Sequence, residues 1–135
     1  MPVVVWKDEY SVGIKVIDDQ HKELFNRVNK LFDDVSQGNT KTILTTMDFL
    51  SSYVVYHFDA EEQLMAKANY PELENHRKEH EWFKHEVSDL RDSISKDGVG
   101  VTTTLKLNKL LVDWLINHVT KTDIKFAPFV KQVVS

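Results

Sequence analysis

An all-α protein is predicted: an antiparallel up-down-up-down four-helix bundle with an extended N-terminal arm and a short C-terminal helical segment. Three observations predict it. Four segments carry apolar residues at helical spacing, the connections between them are short, and five of the six histidines fall on the apolar stripes. With 135 residues, 41% hydrophobic and 28% charged, the chain suits one core. A single domain over 1–135 is therefore expected, divided into an arm over 1–17, a bundle over about 18–122 and a C-terminal segment over 123–135.

The arm scatters Trp6, Tyr10, Val12, Ile14, Val16 and Ile17 around Gly13 and reads as extended chain packed on the body. Asp18 or Asp19 suits the N-cap of the first helix, whose stripe is Leu24, Phe25, Val28, Leu31, Phe32 and Val35, with Gly38 as the stop. His21 lies on that stripe. The second helix is expected to begin near Asn39–Thr42, with an inner face of Ile43, Met47, Leu50, Val54, His57, Glu61 and Leu64 or Met65. Asn69-Tyr70-Pro71 breaks the chain, and Pro71 suits a first helical turn. In the third helix Leu73, His76, His80, Phe83, Val87, Leu90 and Ile94 step by three and four, the seam of a left-handed bundle. Asp97-Gly98-Val99-Gly100 ends it. Thr102 to Thr104 can cap the fourth helix, with stripe Leu107, Leu111, Trp114 and His118 flanked by Leu110 and Leu115. Pro128 is expected to interrupt the last segment, where Phe126, Phe129 and Val130 make an apolar patch.

Composition excludes several function classes. The net charge of -4 gives no basic face for nucleic acid. Without cysteine there are no disulfides, thiolate metal sites or cysteine nucleophiles. No segment approaches the roughly 20 apolar residues of a membrane span, and the N-terminus does not read as a signal peptide. A soluble, cytoplasmic monomer is expected, with no nucleic-acid partner.

His21, His57-x3-Glu61, His76-x3-His80 and His118-x4-Asp123 place five imidazoles and two carboxylates on inward stripes. Packing alone leaves Glu61 unexplained, because a buried unpaired carboxylate must take up a proton or find a cation. His85 is the contrast: nine residues from His76, it lies about 180° around the helix and faces solvent. Glu62, Glu79, Glu81 and Glu86 are expected on the solvated faces. His118 and Asp123 sit five residues apart, about 140° around an ideal α-helix, so the helix must bulge or end between them to bring both to one centre. Imidazole suits iron, zinc, copper or nickel, and bridging carboxylates favour iron or manganese. On two octahedral ions, five imidazoles, two bridging carboxylates and a bridging oxide or hydroxide leave one place open, suited to a small diatomic ligand.

The sequence resembles the hemerythrin family over nearly its whole length. The motifs are Ile17-Asp18-Asp19-Gln20-His21, His57-Phe58-Asp59-Ala60-Glu61-Glu62-Gln63-Leu64-Met65, Tyr70-Pro71 before His76-x3-His80, Trp114-Leu115-Ile116-Asn117-His118, and Asp123. The resemblance implies two non-haem iron ions cycling between Fe2+ and Fe3+ under an oxide or hydroxide bridge. His76, His80 and His118 would hold the saturated iron, His21 and His57 the one with the open place, and Glu61 and Asp123 would bridge. It implies reversible dioxygen binding, for storage or transport to an oxygen-consuming enzyme, rather than catalysis. Phe25, Phe58, Trp114, Leu115 and Val119 are expected around the oxygen pocket. Three other functions compete: an oxygen or redox sensor module, a di-iron enzyme reducing peroxide or nitric oxide, and iron storage. The di-iron carboxylate enzymes draw instead on several glutamates and two Glu-x-x-His pairs, whereas only two anionic donors are offered here.

Overall fold

The computed structural model describes residues 3–134. Its helices are α1 (Lys15–Gln37), α2 (Thr40–Lys67), α3 (Leu73–Asp97) and α4 (residues 101–134), preceded by an arm with one tight turn at Asp8–Tyr10. The four run up-down-up-down, and the packing shows it. One apolar cluster gathers Leu24 and Leu31, Leu50 and Val54, Phe83 and Leu90, and Leu107 and Leu115. A smaller cluster at the other end gathers Ile17, Met65, Phe126 and Val130, with Leu73 against it. α1 and α3 therefore run from the small cluster to the large one, and α2 and α4 run back. Among the described residues, no helix is long and apolar enough to cross a membrane.

The stripes are buried as their spacing predicts, from Leu24 through Leu31 on α1 to His76, His80, Phe83, Val87, Leu90 and Ile94 on α3. The end of α1 follows its sequence signal. Gly38 takes φ +75°, and its N–H reaches the carbonyls of Asp34 and Val35. Asn39 then caps α2, its side chain accepting from the Thr42 amide at 3.0 Å.

Four local expectations are corrected. α1 starts at Lys15, with neither Asp18 nor Asp19 as cap. Asp18 instead accepts hydrogen bonds from the Ser11 hydroxyl and, at 2.8 Å, from the Val12 amide, so its carboxylate pins the arm to the helix. Pro71 lies in the turn before α3 rather than in its first helical turn. The threonines do not cap α4: the helix begins at Val101, and the Thr104 hydroxyl donates back to the Gly100 carbonyl. Pro128 does not interrupt α4, which continues to Val134. The proline is exposed, so the amide hydrogen bond it lacks is lost where water can replace it.

α4 also changes winding. It is α-helical over Val101–Leu107, π-helical over Asn108–Leu115 and His118–Thr122, and α-helical again from Asp123. In the second π stretch the Asp123 N–H donates to the His118 carbonyl, five residues back. Such a bulge was the condition for those two side chains to converge.

Asp34, buried between α1 and α2, accepts from the Thr46 hydroxyl at 2.5 Å and from Lys30 at 2.9 Å. Burial raises its pKa, but these partners outweigh it and hold the carboxyl below the usual carboxylate range. A depressed pKa stabilises the fold above the unfolded-state value, and this contribution is lost as pH falls through the folded-state value. Asp34→Asn should therefore cost about 1 kcal/mol at neutral pH, with the gap from the parent closing as the solution is acidified below the ordinary carboxylate range. Urea unfolding of both proteins at neutral and at strongly acid pH checks this; an equal gap at both would refute it.

Candidate metal centre

Between the two apolar clusters lies one polar layer, to which every helix contributes at the same level. α1 places His21 between Ile17 and Leu24, and α2 places His57 and Glu61 between Val54 and Met65. α3 places His76 and His80 between Leu73 and Phe83, and α4 places His118 and Asp123 between Leu115 and Phe126. All seven are buried; His21, His57, Glu61, His80 and Asp123 have no exposed surface.

The donor atoms converge in two groups. Glu61, His76, His80 and His118 each aim an atom at one point, and His21, His57, Glu61 and Asp123 at another, within 4.8 Å of one another in each group. The carboxylates span the two. Glu61 Oε1 lies 3.6 Å from His80 Nε2 and 4.0 Å from His76 Nε2, while its Oε2 lies 3.4 Å from His57 Nε2 and 3.5 Å from His21 Nε2. Asp123 Oδ1 lies 3.1 Å from His76 Nε2 and 3.3 Å from His118 Nε2, and Oδ2 lies 3.1 Å from His21 Nε2. Each carboxylate thus presents one oxygen to a three-histidine group and the other to a two-histidine group. His85 stays outside, its side chain 75% exposed beside Asp89.

Protein atoms alone do not satisfy this layer. Both nitrogens of His21, His57 Nε2, both oxygens of Glu61 and Asp123 Oδ2 are buried without a hydrogen-bond partner. Leaving such groups unmet is costly, and a cation facing these lone pairs removes the cost. Without one, the layer holds protons unevenly. Burial pushes His57 down to about 4 and, reinforced by His118 and His76, pushes His80 down to about 2. Burial also opposes charge on His118, but Asp123 and Glu79 outweigh it and hold the ring up at about 9. Burial, reinforced by Asp123, raises Glu61 well above the usual carboxylate range. For Asp123, burial is overcome by His118, His21 and His76, and its carboxyl stays well below that range. The same layer thus pushes its two carboxyl groups in opposite directions, Glu61 up and Asp123 down.

Three of the outward ring nitrogens have partners that sequence reasoning missed. Gln20 Oε1 accepts from His57 Nδ1 at 2.7 Å, and Glu62 Oε2 from His80 Nδ1 at 3.1 Å; Glu79 Oε2 lies 3.3 Å from His118 Nδ1. A hydrogen bond at Nδ1 fixes the tautomer, so that Nε2 offers its lone pair inward. Glu62, expected on the solvated face, is half-buried and also pairs with Arg77. Glu79 is exposed as expected, yet it reaches His118. The available signal was a polar residue flanking each ligand candidate in sequence, as Gln20 flanks His21, Glu62 flanks Glu61 and Glu79 flanks His80.

The aromatic residues expected near the layer divide between its sides. Phe58 lies face to face with His80 at 3.7 Å, and Trp114 with His118 at 4.9 Å. Phe25 sits one turn beyond His21, against Trp6 and Tyr10 of the arm. Leu115 and Val119 are fully buried in the large cluster.

Residues 12–130 match the family model described as hemerythrin HHE cation binding domain. The chain is 33% identical over 129 residues to a bacteriohemerythrin of Methylococcus capsulatus, covering 95% of this chain and 97% of that one. It is 30% identical over 121 residues to a hemerythrin-like protein of Naegleria gruberi, covering 90% and 88%. A crystal structure of wild-type hemerythrin superposes with a TM-score of 0.84 at 32% identity, covering 95% of this chain and 98% of that one.

Two outcomes are expected. Glu61→Leu replaces a buried, unpartnered carboxyl by an apolar side chain of similar size. It should stabilise the metal-free protein by about 1–3 kcal/mol while abolishing the stabilisation that ferrous iron gives the parent under argon. Urea unfolding with and without iron reads both, and a less stable metal-free variant would refute the cost assigned to Glu61. Gln20→Ala should weaken ferrous-iron affinity about 10–100-fold, as loss of a ligand's outer partner does, measured by competition with a chromophoric chelator.

Proposed function

The chain belongs to the hemerythrin family, and we propose that it binds dioxygen reversibly at a non-haem di-iron centre, as a store or carrier rather than an enzyme. The observation that carries this reading is the asymmetry of the donor layer. Both carboxylates have an oxygen near each histidine group, Asp123 Oδ1 lying 3.1 Å from His76 and 3.3 Å from His118, so the two groups differ by one ring, three against two. His76, His80 and His118 would hold one iron, His21 and His57 the other, and Glu61 and Asp123 would span both. Imidazole nitrogens with few carboxylates suit iron, and the unpartnered lone pairs fit cations at both points. When bound there, iron(II) would supply the electrons that reversible dioxygen binding requires and would recover them when the gas leaves.

The protein's own contribution is to orient and to exclude. Gln20, Glu62 and Glu79 hold protons on the outward Nδ1 atoms of His57, His80 and His118, which keeps the inward nitrogens free to bind. The apolar clusters on both sides of the layer keep out water, and with it the protons that would drive bound oxygen off as a reduced product. Phe25, Leu115 and Val119 would give the open place apolar surroundings, while Phe58 and Trp114 stack on His80 and His118. Apolar surroundings of that kind suit a small uncharged ligand. A soluble, cytoplasmic monomer handing oxygen to an oxygen-consuming enzyme completes the reading.

Metal analysis with visible and resonance Raman spectra under argon and air tests it. Two irons per chain are expected, with an absorption band that appears in air and vanishes under argon over repeated cycles. His21→Ala should abolish the band and His85→Ala should leave it. One metal per chain, or irreversible bleaching in the first cycle, would overturn the reading.

A further inference from the structure

The five histidines of the layer are each no more than 4% exposed, so a reductant in solution cannot touch a metal held there. An electron arriving from outside must cross protein. Trp82, on α3, is 47% exposed. Its ring centre lies 5.4 Å from that of Trp114 on α4, and Trp114 stacks on His118 at 4.9 Å with the planes 9° apart. Phe83 lies against Trp114 at 4.8 Å and 12°, fixing the indole in register with the imidazole. A second aromatic path runs from Phe129 through Tyr70 and Phe126 to His76. It needs three steps of 4.9, 6.3 and 6.0 Å between rings tilted by 60° or more. The tryptophan path is shorter, and it ends in parallel overlap with a ligand ring. Tunnelling weakens exponentially with each gap, so of these two aromatic paths the tryptophan stack couples more strongly.

We propose that Trp82 and Trp114 are the electron-entry path through which a one-electron donor reduces the metal pair, Trp82 being the contact point and Trp114 the positioning residue that couples it to His118. The inference rests on the di-iron reading: a centre left as iron(III) by oxygen no longer binds it and has to be reduced. Each crossing oxidises the donor by one electron and turns one iron(III) into iron(II), so two crossings restore the pair. No bond in the stack forms or breaks, and neither indole gives up a proton.

The chain has no cysteine, so a single photoactive ruthenium label can be attached through Glu86→Cys, which shares a surface groove with Trp82. A control label goes on Asp59→Cys, exposed on α2 near the layer but off the stack. In iron-loaded protein, photoreduction of the Glu86→Cys label should bleach the iron(III) absorption. Trp82→Leu and Trp114→Leu should each slow this by an order of magnitude or more, with injection from the Asp59→Cys label unchanged. In metal-free protein, flash oxidation of the Glu86→Cys label should yield a transient tryptophan-radical absorption that Trp82→Phe delays by a similar factor. Trp82 is surface-exposed, so its variants report even if Trp114→Leu disturbs the fold. Unchanged injection in Trp82→Leu, or an undelayed radical in Trp82→Phe, would overturn the path. A chain that takes up no iron pair would sink the di-iron reading instead, and the metal-free radical experiment would still judge the stack.

Discussion

Two fully buried carboxylates and five buried imidazoles, with too few protein partners among them, set the terms for the rest of this bundle. A carboxylate without a partner in an apolar interior is among the most expensive groups a fold can carry, and here Glu61 has no hydrogen-bond partner while Asp123 has one, on Oδ1 from His76. Among the described residues, no arginine or lysine pairs with them. Histidine nitrogens surround them instead, in two donor clusters that could hold metal ions. The hydrogen bonds to the outward nitrogens serve the same end, because a ring fixed at Nδ1 cannot turn its proton inward.

The apolar clusters on either side make the layer dry, and the smaller one depends on chain outside the bundle seam. Val12 and Ile14 from the arm, and Phe126, Ala127 and Val130 from the end of α4, close the bundle beneath the histidines. The arm is held by polar ties rather than by regular structure. Asn29 exchanges hydrogen bonds with Val3 and Val4, and Asp18 holds Ser11 and Val12. α1 starts at Lys15 without a side-chain cap, and Asp18 in its first turn secures the arm.

The tryptophan stack illustrates a second use of residues that first serve packing. Trp114 fills the space between α3 and α4, and the same overlap that packs it against Phe83 lays it on His118. Contact between a core ring and a ligand ring joins the stability of the bundle to the electronic surroundings of its centre.

Helix number, order and inward faces were legible in the amino-acid sequence, because apolar burial repeats with the helical period and each histidine shares that period with its leucine and phenylalanine neighbours. The stripe of α3 and the outward position of His85 needed nothing more. Asp123 could not be placed that way: on an ideal helix it points away from His118, and the π turn of α4 carries it back to the layer. Gln20, Glu62 and Glu79 were likewise beyond periodicity, since the ring each one meets belongs to a different helix and depends on how neighbouring helices are offset along their axes. The passage of α4 through Pro128 was settled by the apolar cap that holds Phe126 and Val130 in place on either side of it. Local periodicity determined which residues face inward; the mutual register of four helices decided which atoms meet there, because distances across a bundle are set by packing and not by spacing along the chain.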